Sequence, residues 1–158
     1  MAGGPLFPIS AVPLTSGKVF PVLYNGGSND LEQMMGVMAS LDGDAVWRLA
    51  FKMPPSLPTG TPYMVLHARA NATSGNAKPN VKWNNPAAED DPGGSVNAEG
   101  VGTITWAGGD ADVIKELKVQ LDAITLTAGR SVYVDLTFET SAWTLAAQSG
   151  WQAFIIWE

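Results

Sequence analysis

Val132, Val134, Leu136 and Phe138 alternate with Tyr133, Asp135, Thr137 and Glu139, and the chain closes on Trp151-Gln152-Ala153-Phe154-Ile155-Ile156-Trp157-Glu158. Leu117, Val119 and Leu121 alternate in the same way with Lys118, Gln120 and Asp122. Side chains leave a strand on alternate faces, so a period of two means one buried face and one wet face. The last strand is the most apolar of the chain. It must pair centrally or be covered by a partner, because an exposed apolar edge invites aggregation.

The same reading extends upstream. Ala45, Trp47, Leu49 and Phe51 alternate with Val46, Arg48, Ala50 and Lys52, and Met64, Leu66, Ala68 and Ala70 alternate with Tyr63, Val65, His67 and Arg69. A short strand is expected around Trp83 and another over Val101–Ala107. Pro54 to Pro62 reads as a rigid loop and Asn84 to Glu99 as a polar surface loop, the most mobile of the chain. Leu31 to Ser40 reads as either helix or strand, since Asn29 or Asp30 suits a helix cap but Gly36 weakens a helix. Asp112 to Glu116 suits a helical turn. About eight strands separated by turns point to an all-β fold, an antiparallel β-sandwich or jelly roll with an extended N-terminal arm.

Residues 1–23 form the expected arm and residues 24–158 a single β-sandwich domain. The arm carries Pro5, Pro8, Pro13 and Pro21 among Leu6, Phe7, Ile9, Val12 and Leu14. Proline cannot donate to a sheet ladder, so such a segment is extended and lies on something. It is either an edge segment of its own sandwich or an arm laid on a neighbouring subunit.

The chain has 158 residues, 46% of them hydrophobic and only 15% charged, with a net charge of −6. Its nine Lys and Arg are scattered, which argues against nucleic acid and against anionic membrane surfaces. Cysteine is absent, which excludes disulfides and thiolate metal sites. The first residues show no signal-peptide pattern, so synthesis in a cytosol is expected.

Catalysis finds little support. The single histidine, His67, lies mid-strand with no cysteine and no Gly-x-Ser-x-Gly elbow to accompany it. Glu89-Asp90-Asp91, Asp42/Asp44 and Asp110/Asp112 are the acidic clusters, and solvated turns explain them without a metal. The expectation is no enzyme activity, no cofactor and no metal. Of the six tryptophans, Trp47 falls on a core parity, whereas Trp143 and Trp151 flank a loop and suit a sugar platform if exposed.

The order of elements resembles that of virion structural proteins of tailed bacteriophages, of the jelly-roll decoration or cement type. The residues that carry it are Phe20-Pro21-Val22-Leu23, Phe51-Lys52-Met53-Pro54, the run Tyr63 to Asn76 containing Ala72-Thr73-Ser74-Gly75-Asn76, the strand at Trp83, and the closing unit Gly129–Glu158. The resemblance implies a homotrimer that binds the major capsid protein on the virion surface after synthesis in the host cytoplasm. It implies no cofactor, no nucleic acid and no membrane. Leu6, Phe7, Ile9, Val12, Trp151, Phe154 and Trp157 are the expected contacts to other subunits or to the shell, with intramolecular core the competing role for the C-terminal three. The alternative function is a carbohydrate-binding β-sandwich module of a phage tail or fibre.

Overall fold

The computed structural model describes residues 4–15, 17–25, 31–39, 41–84, 98–121 and 126–158. Among these, twelve strands and one short 3-10 turn, Thr140–Ala142, make up the regular structure. One sheet has the order β1 (Ser10–Pro13), β4 (Ala45–Lys52), β11 (Ser131–Phe138), β7 (Pro79–Asn84), β8 (Ala98–Val101). The other has the order β10 (Lys115–Gln120), β5 (Pro62–Ala70), β12 (Ser149–Trp157), β3 (Leu31–Val37), β2 (Val19–Asn25). A two-stranded ribbon joins β6 (Gly75–Ala77) to β9 (Ile104–Trp106). Every pairing is antiparallel. The architecture is a jelly-roll β-sandwich.

The alternation read from the sequence sets the two inner faces. Trp47, Leu49 and Phe51 of β4 and Val132, Val134 and Leu136 of β11 face Met64, Leu66 and Ala68 of β5 and Trp151, Ala153 and Ile155 of β12. The terminal strand is central: β12 pairs with β5 along its whole length, from Ser149↔Ala70 to Trp157↔Pro62. Its tryptophans close the core. Trp151 stacks at an angle on Phe138 at 4.7 Å and meets the edge of Trp106 at 6.5 Å.

One open reading is resolved and one expectation is corrected. Of the helix and the strand left open for residues 31–40, the strand is what residues 31–37 form. Gly36, which carries no side chain, sits opposite Phe20, and a Cβ there would lie 2.6 Å from the Phe20 ring. The aromatic ring thus covers a glycine that would otherwise leave the strand bare. The expected helical turn at 112–116 is the one replaced. Asp112 takes a left-handed conformation (φ 61) that turns the chain into β10, and Lys115 and Glu116 already pair with Ala68 and His67.

The prolines mark the edges. Leu14 donates its N–H to the Val46 carbonyl, so its neighbour Pro13 faces away from β4. Met38 donates to the Lys18 carbonyl, and the same alternation turns Pro21 away from β3. Both prolines therefore put the missing N–H on a free edge, where it blunts pairing with another chain without breaking a ladder. The expected arm boundary at residue 23 falls inside β2, so residues 19–23 belong to a sheet of the sandwich.

The earlier part of the arm lies across its own chain. Leu6 exchanges both backbone hydrogen bonds with Ile155, at 2.8 and 2.9 Å, in one sheet. Ile9 then donates to the Ala50 carbonyl in the other sheet, where β1 begins. The register explains the crossing. Continued by two residues, the register of Leu6 opposite Ile155 would bring Pro8 opposite Ala153. Pro8 has no N–H to give the Ala153 carbonyl, so the pairing stops and the chain changes sheet.

Trp151→Ala is expected to cost about 3–5 kcal/mol of stability, as for large-to-small substitutions in a packed core. Chemical denaturation monitored by circular dichroism checks this. A loss below about 1 kcal/mol would show that the Phe138–Trp151–Trp106 stack is not a keystone of the core.

Candidate functional site

The outer face of the β10–β5–β12 sheet collects polar and aromatic groups on one surface. β5 contributes Tyr63, Val65, His67 and Arg69. β12 contributes Gln152, Phe154 and Ile156, and β10 contributes Glu116, Lys118 and Gln120. The register places Phe154 opposite Val65, so the rings of Phe154 and His67 are diagonal neighbours. Their centroids lie 5.0 Å apart with the planes at 87°. Phe7, from the arm, adds a third ring 5.6 Å from Phe154. This works because Leu6 points into the core and the next residue points out.

Polar groups border the rings. His67 Nε2 lies 3.1 Å from a Glu116 carboxylate oxygen, and Lys118 pairs with Glu158. That pairing raises the Lys118 ammonium above its ordinary value, chiefly through the hydrogen bond to Glu158. Phe7 remains 61% exposed although it touches Phe154, so its ring is open to a ligand. Planar rings beside hydrogen-bonding side chains suit sugars, whose C–H faces are apolar and whose rims are hydroxyls.

A cleft of about 530 Å³ adjoins this face and shares Phe7 and Gln152 with it. The arm forms one wall through Phe7, Pro8, Ile9, Ser10 and Ala11, and Pro21 and Met35 form the other. Trp47, Trp151 and Ala153 make the floor. The volume is typical of small-ligand sites.

The expected contact residues divide. Leu6 is half-buried against the core, whereas Phe7, Ile9 and Val12 are exposed. Phe154 is half-buried on the outer face. Trp151 and Trp157 are corrected: at 0% and 6% exposure they belong to the chain's own core and offer no surface to a partner. Nor is a tryptophan platform present among the described residues. Trp47, Trp83, Trp106 and Trp151 are buried, and Trp143 is held edge-on to Phe138 while its Nε1–H donates to the Ala39 and Leu145 carbonyls.

Among the described residues no three His, Asp or Glu side chains group as a metal site. Asp42 pairs with Lys18, Asp110 with Lys115, and Asp44 accepts hydrogen bonds from Thr140. Glu89-Asp90-Asp91 lies outside the described residues, as does the expected loop from 85 to 97. Sequence reasoning missed the meeting of Phe7, His67 and Phe154, although the outward parity of His67 was visible.

No family model and no characterised relative matches the sequence. Solved structures match it in fold. One is an arabinose-bound α-L-arabinofuranosidase, at TM-score 0.55 and 16% identity, covering 98% of this chain and 24% of that one. Another is the N-terminal part of the Clostridium thermocellum xylanase 10B, a carbohydrate-binding module with its catalytic module bound to xylohexaose. It matches at TM-score 0.51 and 11% identity, over 99% of this chain and 28% of that one. This chain thus spans about a quarter of each of those two. A third is the family 11 carbohydrate-binding module of the Clostridium thermocellum cellulosomal cellulase Lic26A-Cel5E, at TM-score 0.50 and 10% identity, over 99% and 95% of the two chains. The fold is the jelly-roll sandwich these proteins contain. The jelly-roll part of the sequence resemblance therefore stands, but none of these three is a virion protein.

Three carboxylates off this face link stability to acid. Asp42 is held below its ordinary value mainly by its hydrogen bond to Lys18. Lys115, then the Ala107 N–H, lowers Asp110, and Asn80, then Lys78, lowers Glu139. A carboxylate whose folded value is depressed stabilises the fold above its unfolded value, near pH 4, and stops doing so as pH falls through the folded value. The melting temperature is expected to be insensitive to these groups from pH 7 to about 5 and to fall below about pH 4. Glu139→Gln should make that acid decline shallower. A melting curve series with the same acid slope in wild type and variant would remove Glu139 from the account.

Proposed function

We propose that this chain is a non-catalytic carbohydrate-binding module that holds a neutral glycan on the β10–β5–β12 face. The observation that carries the reading is the open row of Phe7, Phe154 and His67, bordered by Glu116, Gln152 and Tyr63. The ring faces take the apolar side of a sugar, and the polar border takes its hydroxyls. The strand geometry supports an extended ligand, since Tyr63 to Arg69 spans roughly 20 Å at the usual rise per residue. The sandwich of a named carbohydrate-binding module, matched over nearly all of both chains, is consistent with this use of the fold.

Titration calorimetry against soluble glucans, xylans, galactans and arabinans tests it. At least one glycan should bind, and Phe154→Ala and His67→Ala should each weaken it at least tenfold. Tyr133→Ala, on the outer face of the opposite sheet, should leave binding unchanged. Binding that survives the first two substitutions and is lost with the third would move the site to the other sheet. Absence of binding to every class would overturn the reading.

The exposed arm favours a second reading, an assembly role in which Phe7, Ile9, Val12 and Leu14 are covered by a second copy or by a capsid protein. Under it the chain is a homotrimer on a virion surface. Light scattering with and without residues 1–17 separates the two. A trimer that falls apart on truncation supports assembly, and a chain that is monomeric with and without those residues supports the glycan module.

A further inference from the structure

The floor of the cleft carries a backbone donor and acceptor that the strand pairings of the described residues leave open. In β12 the odd-numbered residues turn their N–H and C=O groups away from β5, as the pairings Trp151↔Met35 and Leu6↔Ile155 show. Ala153 lies between them. The pairing of β3 with β12 ends at Trp151, and the arm reaches only Ile155. Pro8, which lines the cleft with Ala153 and is next in that register, has no N–H to offer. Neither β3 nor the arm pairs with the Ala153 backbone, and Ala153 lines the cleft. A backbone donor and acceptor side by side on a cleft wall suit a ligand that offers one of each in exchange for water.

The walls narrow the ligand class. None of the described residues that line the cleft carries a charge, so among them an acidic or basic sugar finds no counter-ion. Phe7, Ile9 and Met35 present apolar surface inside the cleft, which suits a methyl group better than the hydroxyl rim of a sugar. We propose that this cleft takes the acetamido group of an N-acetylated sugar. The methyl enters the apolar walls, the amide carbonyl accepts from the Ala153 N–H, and a neighbouring hydroxyl donates to the Ala153 carbonyl. This inference rests on the carbohydrate-binding reading, because the rest of the sugar lies toward Gln152 and Phe7, which the cleft shares with the aromatic face.

The test compares the β-1,4-linked trimer of N-acetylglucosamine with the β-1,4-linked trimer of glucose, which differ only in the acetamido groups. The acetylated trimer is expected to bind at least tenfold more tightly and to change the fluorescence of Trp47 and Trp151. Ala11→Phe places a ring in the cleft from an exposed edge strand. It should abolish that preference while leaving the melting temperature and the affinity for the glucose trimer unchanged. Equal affinities, or a preference that survives Ala11→Phe, would overturn the inference. Should neither trimer bind while another glycan binds in a Phe154-dependent way, the cleft assignment fails and the carbohydrate-binding reading stands. If no glycan binds at all, both fail.

Discussion

The nine-residue pairing of β12 with β5 is the contact on which the other features depend. It places the most apolar segment of the chain in the middle of a sheet. The inner side of that segment supplies Trp151 and Ile155 to the core, and the outer side supplies Gln152, Phe154 and Ile156 to the surface. One pairing therefore sets both the core and the candidate site. It also turns the opposite backbone edge of β12 toward β3 and the arm, and the incomplete use of that edge creates the cleft.

The arm is best understood as the answer to that incomplete edge. β3 covers β12 only from Ser149 to Trp151, because β2 and β3 continue as a hairpin of their own. The remaining edge of an apolar strand is a hazard. Leu6 covers part of it, and β1 then protects β4 in the other sheet. The chain cannot do both without crossing between the sheets. Pro8 sits where the crossing begins, so the residue that ends one ladder also opens the way to the next. Pro13 and Pro21 then keep the β1 and β2 edges from recruiting further strands.

Much of this was legible in the residues and some was not. The alternation in Ala45–Lys52, Tyr63–Ala70 and Val132–Glu139 specified strands and their faces, because a residue's parity is a local property. Leu31–Ser40 stayed open for the opposite reason. Gly36 argued against a helix, but its role shows only when Phe20 lies across it, and that contact is not local to the segment. The tryptophans showed the limit of parity. Trp151 is on the apolar parity of its strand, yet a core residue and an interface residue share that pattern. Only the packing against Phe138 and Trp106 separates them. The candidate site was invisible as a unit, since Phe7, His67 and Phe154 come from distant parts of the sequence and meet only through register.

The exposed ring of Phe7 gives the face and the arm a common physical basis. An isolated aromatic on a loose arm would be a weak platform, because binding would have to pay the cost of ordering it. Here Leu6 fixes the backbone by two hydrogen bonds and buries its own side chain, so Phe7 is held beside Phe154 before any ligand arrives. The same hydrogen bonds hold Pro8 and Ile9 over the cleft. Preorganisation of the platform and of the cleft wall thus has a single origin in the Leu6–Ile155 bridge. A ligand that engages both surfaces meets groups already in place, and the surfaces are coupled through one short segment of backbone rather than through the bulk of the sandwich.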